Sequence, residues 1–410
     1  MKELLIKYAD VLLKICLKID KGQPLFISYN IEREDFVRIV VNEALKLGVS
    51  DIYLEGIDPY IKHDLLLNVE TEELKKNTYF NKSIWNKYAK KNSAFLMLAS
   101  ETPGLMKDVD SDKLKELTKY SYETRKEFDE LRDKGELAWT IAAVPTKEWA
   151  NTLYPNHLDA EEELWDNILE ICHITDDNPE KYWIDKIKKL NERAKKLTER
   201  QFKKLVYQNN MGTNFSIELP KNHIWASGSS LLKNGKEVLV NFPTEEVFTS
   251  PTNDSCEGIV HSSLPLSYQD IIINEFYIRF EKGKVTSYGA LEGEETLKNM
   301  IEVCENSNRL GEVALVPFDS PISNKNQIFL ETLYDENASC HIALGDSFPE
   351  CILNGTYMDK DMLEKEYHMN KCDSHVDFMI GTKDLNIKGI TKDGKEVPIF
   401  ISGNFSIEFE

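Results

Sequence analysis

Hydrophobic positions in the first half of the chain alternate between two patterns. Short runs rich in β-branched and aromatic residues predict four strands: PLFISY (24–29), DIYLEG (51–56), AFLMLAS (94–100) and LAWTIAAVP (137–145). The segment between the first two places Phe36, Val40 and Ala44 on one helical face. That helix is predicted to stop at Gly48, a residue suited to helix termination. Strands joined by crossover helices are typical of a mainly parallel sheet, so this half is predicted to be an α/β domain. No glycine-rich nucleotide motif follows these strands.

The pattern changes in the second half. Residues 157–202 are helical and rich in charge, and they predict long helices that lead to a domain boundary near residue 200. Beyond it, strands alternate with turns such as EKGK (281–284) and TKDGKE (391–396), and one helix is predicted within 293–307. The sequence therefore predicts an α/β scaffold domain over 1–200 and an α+β domain over 201–410.

Composition narrows the possible partners and location. Acidic residues outnumber basic ones by 70 to 50, and the formal charge of −20 would repel nucleic acid. The seven cysteines form no CxxC pair, which indicates reduced thiols. The N-terminus is charged and amphipathic, unlike a signal peptide, and no apolar run approaches the roughly 20 residues of a membrane span. We expect a cytoplasmic protein that contacts neither nucleic acid nor membrane.

Residues capable of chemistry lie in separate stretches of the second half, and no HExxH or GxSxG motif is present. In NFPTEEVFTSP, Glu245 and Glu246 are adjacent, so one could bind a metal while the other moves a proton. An exposed acidic turn is the alternative. In RLGEVALVP, Glu312 is expected at the mouth of a buried strand, where ligands gather or where a carboxylate simply meets solvent.

Histidines with nearby carboxylates mark two further stretches. ETLYDENASCHIALG holds Asp335, Glu336 and His341 within seven residues. In SHVDFMIG, His375 and Asp377 stand two apart, which puts both on one face of a strand and suits joint binding of one ion. A surface strand with alternating polar residues is the alternative. A structural zinc site that uses the cysteines at 340, 351 and 372 is disfavoured because it would lack CxxC knuckles.

These phrases, taken in order, resemble the aminopeptidase T and aminopeptidase S family of metallopeptidases. The likeness runs over nearly the whole chain and is strongest in NFPTEEVFTSP, GALEGEE, RLGEVALVPFDSPIS, LYDENASCHIALG and HVDFMIG. It implies a metal-dependent aminopeptidase that acts on peptides with a free N-terminus. It also implies a homodimer that encloses a cavity around its active sites.

The resemblance further implies two divalent ions at six ligand positions, with Glu312 as the bridging carboxylate: Glu246, Glu312, Glu336, His341, His375 and Asp377. Oxygen and imidazole ligands suit zinc, cobalt or manganese. Glu245, next to a ligand but not itself one, is expected to act as general base.

One departure from the family pattern concerns a hydrogen-bond donor. Where the family has a tyrosine seven residues after the ligand histidine, this chain has Phe348, which cannot donate a hydrogen bond. Either a neighbour such as Tyr357 replaces that donor or activity is reduced. Two alternative functions stay open. One is another dinuclear hydrolase such as a phosphoesterase, which uses the same ligand types; the other, supported by Phe348, is a weakened family member that serves as a binding protein.

Overall fold

A computed structural model describes residues 1–100, 102–269 and 271–410. The chain divides into two compact units. The first contains Met1–Ile187 and Ser229–Pro243, and the second contains Lys188–Gly228 and Thr244–Glu410. The chain therefore leaves the first unit, returns to it for a short stretch, and leaves it again.

Helices occur mainly in the first unit. Their bounds are α1 Lys2–Val11, α2 Glu34–Leu47, α3 Pro59–Asn68, α4 Thr71–Lys90, α5 Ser111–Thr124, α6 Lys126–Asp133, α7 Lys147–Leu153, α8 Ala160–Ile171, α9 Pro179–Arg200, α10 Glu294–Ile301, α11 Thr332–Asn337 and α12 Lys360–Tyr367. A π-helical turn follows α1 at Leu12–Cys16. No helix within the described ranges combines the length and the apolar character that a membrane crossing demands.

Strands dominate the second unit. Their bounds are β1 Leu25–Asn30, β2 Ile52–Ile57, β3 Ala94–Ala99, β4 Trp139–Ala143, β5 Lys204–Gln208, β6 Asn214–Glu218, β7 Ala226–Ser227, β8 Ser229–Leu231, β9 Glu237–Leu239, β10 Asn241–Phe242, β11 Val247–Thr249, β12 Glu257–His261, β13 Leu266–Tyr268, β14 Ile271–Glu281, β15 Lys284–Glu292, β16 Leu310–Leu315, β17 His341–Gly345, β18 His375–Met379, β19 Asn386–Ile390, β20 Glu396–Ile401 and β21 Asn404–Phe405.

The first unit is built on a parallel sheet with strand order β10-β4-β3-β1-β2. The four predicted strands and the crossover helix α2 are confirmed, and Gly48 ends α2 in the left-handed conformation with φ of +85°. On one side of the sheet, Phe26 and Phe95 pack with Trp85 and Phe128. Burial of such aromatic surface is the main force that holds the helices on the sheet.

The second unit contains two antiparallel sheets. The larger has strand order β13-β14-β12-β6-β5-β19-β20-β21, with β15 paired to β14. The predicted turns at 281–284 and 391–396 are confirmed, since they join β14 to β15 and β19 to β20. The smaller sheet has the order β18-β17-β16-β11-β7. The predicted combination of α/β and α+β architecture is confirmed.

The smaller sheet positions the chemistry. Three of its five strands, β16, β17 and β18, pair antiparallel, so that Ala314 faces His341 and Gly345 faces His375 in register. Val313, Leu315, Ile342 and Phe378 pack in the core of the unit. A sheet anchored in this way holds the polar side chains of these strands with little freedom, which a preformed binding site requires.

Candidate metal centre

Glu245 and Glu246 lie in the segment that leads into β11. Both are buried, with 4% and 5% of their surface exposed, so the exposed acidic turn is excluded. The backbone N–H of Glu245 donates to Oδ1 of Asn337 at 2.8 Å, which fixes this segment against the end of α11. Two buried carboxylates side by side are costly unless cations or protons balance them.

Glu312 lies inside β16, where every residue is buried. The expectation that it lies at the mouth of the strand was wrong: it is the third residue, and it pairs with Ala343. The register shifts between Leu310 and Glu312. At the intervening Gly311 a Cβ atom would lie 2.1 Å from the carbonyl oxygen of Asp346, so only glycine allows this approach. The irregularity places the carboxylate in the interior.

His341 and His375 are each oriented by a backbone carbonyl oxygen. His341 has Nδ1 at 2.9 Å from the carbonyl oxygen of Glu336, and its Nε2 lies 3.1 Å from Oε2 of Glu246. In His375, Nδ1 is 2.9 Å from the carbonyl oxygen of Asp346, and Nε2 is 3.0 Å from Oε2 of Glu312. Each Nδ1–H therefore donates to the backbone, and each Nε2 faces carboxylates. Metal-binding histidines are commonly oriented by such a backbone acceptor.

Two groups of potential ligand atoms result. Within each group the atoms lie within 4.8 Å of one another, and in the described part of the chain the groups are Glu246, Glu312 and His341, and Glu312, His375 and Asp377. Glu312 belongs to both. Nε2 of His375 also lies 3.4 Å from Oδ1 of Asp377, as expected for residues two apart on one strand face. The groups thus meet at one shared carboxylate.

Glu336 and Asp335 differ in their relation to these groups. Glu336 is buried and lies outside both groups, although Asp377 and Glu246 act on it electrostatically. Asp335 instead anchors a loop, because its carboxylate accepts the N–H of Phe329 at 2.8 Å and that of Glu331 at 3.3 Å. The structure brings five predicted ligands together in two groups and places the sixth, Glu336, beside them.

The electrostatics of the cluster follow from burial and like charge. Burial, then the charge of Asp377, raises the pKa of Glu312 to about 8. Burial also raises the pKa of Glu336 well above its usual range. Burial alone would lower the pKa of His375, but Asp377 and Glu312 outweigh it and raise that pKa. Burial would raise the pKa of Asp377, yet the charge of His375 holds it below its usual range. Buried carboxylates this close together are stabilised by protons or by cations.

Phe348 lies at the edge of the cluster. Its ring centroid is 4.8 Å from that of His375, and its N–H donates to Oγ of Ser250 at 3.0 Å. A tyrosine at this position would bring a hydroxyl group near the ligands. Tyr357 is 77% exposed, so its side chain is largely in solvent.

Sequence reasoning missed two supporting residues. Asn337 is fully buried; its Oδ1 accepts the N–H of Glu245, and its Nδ2 donates to the carbonyl oxygen of Leu333 at 2.9 Å. Asp346 orients His375 through its backbone carbonyl. The only sequence signal for Asn337 is its position next to Glu336. The role of Asp346 could not be predicted from the sequence, because every residue type has a backbone carbonyl.

A buried set of carboxylates around two imidazoles, each oriented by a backbone acceptor, is typical of a metal-dependent hydrolase. Comparison with known proteins agrees with this class. The chain belongs to the thermophilic metalloprotease (M29) family, whose model matches residues 1–405. It is 36% identical to aminopeptidase AmpS of Bacillus subtilis (strain 168), with 97% of each chain covered.

Two further relatives extend the comparison. Aminopeptidase 2 of Geobacillus stearothermophilus is 36% identical, with 98% of this chain and 97% of that protein covered. The solved structure of wild-type AmpT from Thermus thermophilus matches with a TM-score of 0.90 at 29% identity, over 99% of this chain and 100% of the other. Fold and sequence therefore agree over essentially the whole length.

Proposed function

We propose that this chain removes N-terminal amino acids from peptides with the help of two divalent cations. That it is a metal-dependent aminopeptidase follows from its membership of the metalloprotease family and from the aminopeptidase relatives that match its full length. The observation that supports a pair of ions is the membership of Glu312 in both ligand groups. A carboxylate has two oxygens, and each can face a different cation.

The donor set fits such a pair. Glu246, Glu312 and His341 would hold one ion; Glu312, His375 and Asp377 would hold the other; and Glu336 would complete the set. Ionised, the four carboxylates carry four negative charges, which two divalent cations neutralise while both histidines stay uncharged. Mixed oxygen and imidazole donors without thiolate suit zinc, cobalt or manganese.

Residues beside the ligands would have separate roles in the reaction. Bound ions of this kind lower the pKa of water and polarise the scissile carbonyl group. Glu245 is buried beside the ligand Glu246 and would take the proton of the attacking water and return it to the leaving amine. Its backbone N–H is held by Asn337, and Arg193 is an electrostatic neighbour. Both would help to keep the base in place.

Specificity for chain ends would follow from the free amino group of the substrate. The α-amino group of a peptide, with a pKa near roughly 8, can lose its proton, and its lone pair could then bind a cation held by the carboxylates. An internal peptide bond has no such group. We further propose a cytoplasmic homodimer whose enclosed cavity admits peptides or unfolded chain ends, as the family resemblance implies.

Metal analysis combined with peptide cleavage tests the proposal. We expect two equivalents of metal per chain and release of the first residue from a short peptide, but no release from the same peptide with an acetylated N-terminus. Glu246→Ala and His375→Ala should lower both metal content and cleavage, whereas Glu281→Gln, at the exposed end of β14, should change neither. One equivalent per chain would refute the pair of ions, and cleavage of the acetylated peptide would refute the exopeptidase.

Sedimentation of the purified protein tests the homodimer. The phosphoesterase alternative is not favoured by family membership, and a phosphate ester substrate offered beside an aminoacyl substrate provides the direct check. The binding-protein alternative is not favoured either, since the relatives that match over the whole length are named aminopeptidases.

A further inference from the structure

Two thiols lie in contact outside the ligand groups. Sγ of Cys304 and Sγ of Cys372 are 2.8 Å apart, although 68 positions separate them in the chain. The sulfur atoms of a disulfide bond are roughly 2.05 Å apart, so these two sulfur atoms would have to approach each other by less than 1 Å. Cys304 is partly exposed, whereas Cys372 is buried, with 7% of its surface exposed. An oxidant from solvent can therefore reach Cys304, and Cys372 is placed to resolve the product.

The surrounding hydrogen bonds hold the two loops together. Asn306, two residues after Cys304, donates from Nδ2 to the carbonyl oxygen of Lys371 at 3.2 Å. Asn370 donates from Nδ2 to the carbonyl oxygen of Asn306 at 3.0 Å. The backbone N–H of Cys372 donates to Oδ1 of Asp346 at 3.1 Å. Because both loops are anchored in this way, the approach of the sulfur atoms is part of the folded structure rather than a chance encounter.

The environment also favours a reactive thiolate at Cys304. The thiol of Cys372, the N–H of Asp373 and the hydroxyl of Ser374 donate toward its sulfur, and together they lower its pKa to about 6. Burial has the opposite effect on three other thiols: it raises the pKa of Cys340 to about 12 and that of Cys256 and Cys351 well above the usual range. Reactive cysteines are typically low in pKa, partly exposed and adjacent to a resolving thiol.

We propose that Cys304 and Cys372 form a redox-active dithiol that a hydroperoxide converts to a disulfide. The thiolate sulfur of Cys304 attacks one peroxide oxygen, the O–O bond breaks, and the departing hydroxide takes a proton to become water. The sulfur of Cys372 then attacks the sulfenic acid at Cys304, the S–O bond breaks, and a second water leaves with the proton of Cys372. Two thiols and one hydrogen peroxide thus yield one disulfide and two waters, and a dithiol reductant reverses the change.

The two cysteines lie in loops that lead into strands of the candidate metal centre. Cys304 lies in the loop before β16, which carries Glu312, and Cys372 lies in the loop before β18, which carries His375 and Asp377. The backbone N–H of Cys372 donates a hydrogen bond to the carboxylate of Asp346, and the backbone carbonyl of Asp346 orients His375. A disulfide would therefore link the two loops that lead into the ligand-bearing strands β16 and β18. This consequence for the metal centre depends on the proposed function, whereas the formation of the disulfide does not.

The test is treatment of the native, metal-loaded protein with hydrogen peroxide, followed by alkylation with iodoacetamide and mass spectrometry. We expect a peptide pair joined through Cys304 and Cys372, lighter by two hydrogens and separated by dithiothreitol. The five other cysteines should stay as thiols. In Cys372→Ser, dimedone should trap a sulfenic acid at Cys304, whereas in Cys304→Ser it should trap nothing at Cys372. The matched variant Cys16→Ser, at a buried cysteine of the first unit, should form the disulfide as before.

Two results would overturn the proposal. One is alkylation of both thiols after peroxide treatment, with no linked pair. The other is oxidation of the buried cysteines at the same rate as Cys304, which would indicate unfolding. Thermal unfolding of each variant checks that the fold survives. Because the readout is a mass and not an activity, disulfide formation would stand even if the protein cleaved no peptide.

Discussion

Replacement of Glu312 by glutamine separates the effect of this residue on stability from its effect on metal binding. Burial raises the pKa of Glu312 to about 8 in the folded, metal-free protein, compared with an ordinary value of 4.5. At pH 7 the folded state must therefore bind a proton that the unfolded state has released. Over the 2.5 pH units between 4.5 and 7, this costs on the order of 3 kcal/mol of stability.

Glutamine resembles the protonated carboxyl in shape and never has to bind a proton. We expect metal-free Glu312→Gln to be more stable than the wild type at pH 7 by on the order of 3 kcal/mol. A group whose pKa is raised in the folded state contributes its full stability below its unfolded-state pKa. The difference in stability between the variant and the wild type should therefore disappear near pH 4.5. With enough metal the order reverses: at a free metal concentration 1,000 times Kd the wild type gains about 4.1 kcal/mol, which exceeds the advantage of the variant, and the variant, having lost the shared ligand, gains little.

Urea unfolding at pH 7 and pH 4.5, with and without added zinc, cobalt or manganese, measures these quantities. Glu281→Gln, which removes an exposed carboxylate, should match the wild type in every condition. The reasoning fails if metal-free Glu312→Gln is less stable than the wild type at pH 7. It also fails if the variant is stabilised by metal as strongly as the wild type.

Three further predictions concern single side chains. Phe348→Tyr would place a hydroxyl beside His375, and we expect kcat to rise by up to about a hundredfold, whereas Phe348→Leu should give no rise. Glu245→Gln should lower kcat by about 10²- to 10⁴-fold with metal content unchanged; loss of metal would instead identify a ligand. Burial lowers the pKa of His223 to about 4, so the unfolded state binds more protons between pH 6.5 and 4. The free energy of unfolding should fall by about 3 kcal/mol as pH drops through that window, and this contribution should be absent from the urea unfolding of His223→Gln.

Regular elements could be predicted because their signals are local. The strand that begins at Leu25 and the helix that ends at Gly48 are specified by side-chain pattern and by one residue with access to positive φ. The proximity of His375 and Asp377 was predictable for the same reason, since residues two apart on a strand share a face.

Other features depend on contacts between distant segments and leave no local signal. The position of Glu312 inside β16 depends on an irregularity in register where Gly311 meets the carbonyl of Asp346. The burial of Glu245 depends on Asn337, 92 positions away. The contact between Cys304 and Cys372 joins two loops that sequence pattern treats as unrelated. Such approaches arise from tertiary packing, which pattern analysis does not capture.

The return of Ser229–Pro243 to the first unit has a consequence for synthesis and for fragments. Strand β10, in this segment, pairs with β4, and the N–H of Ile141 donates to the carbonyl oxygen of Val240 at 2.9 Å. A fragment that ended at Ile187 would leave β4 as a bare sheet edge, which favours aggregation. On the ribosome, the parallel sheet can be completed only after residues 188–228 of the other unit have been made.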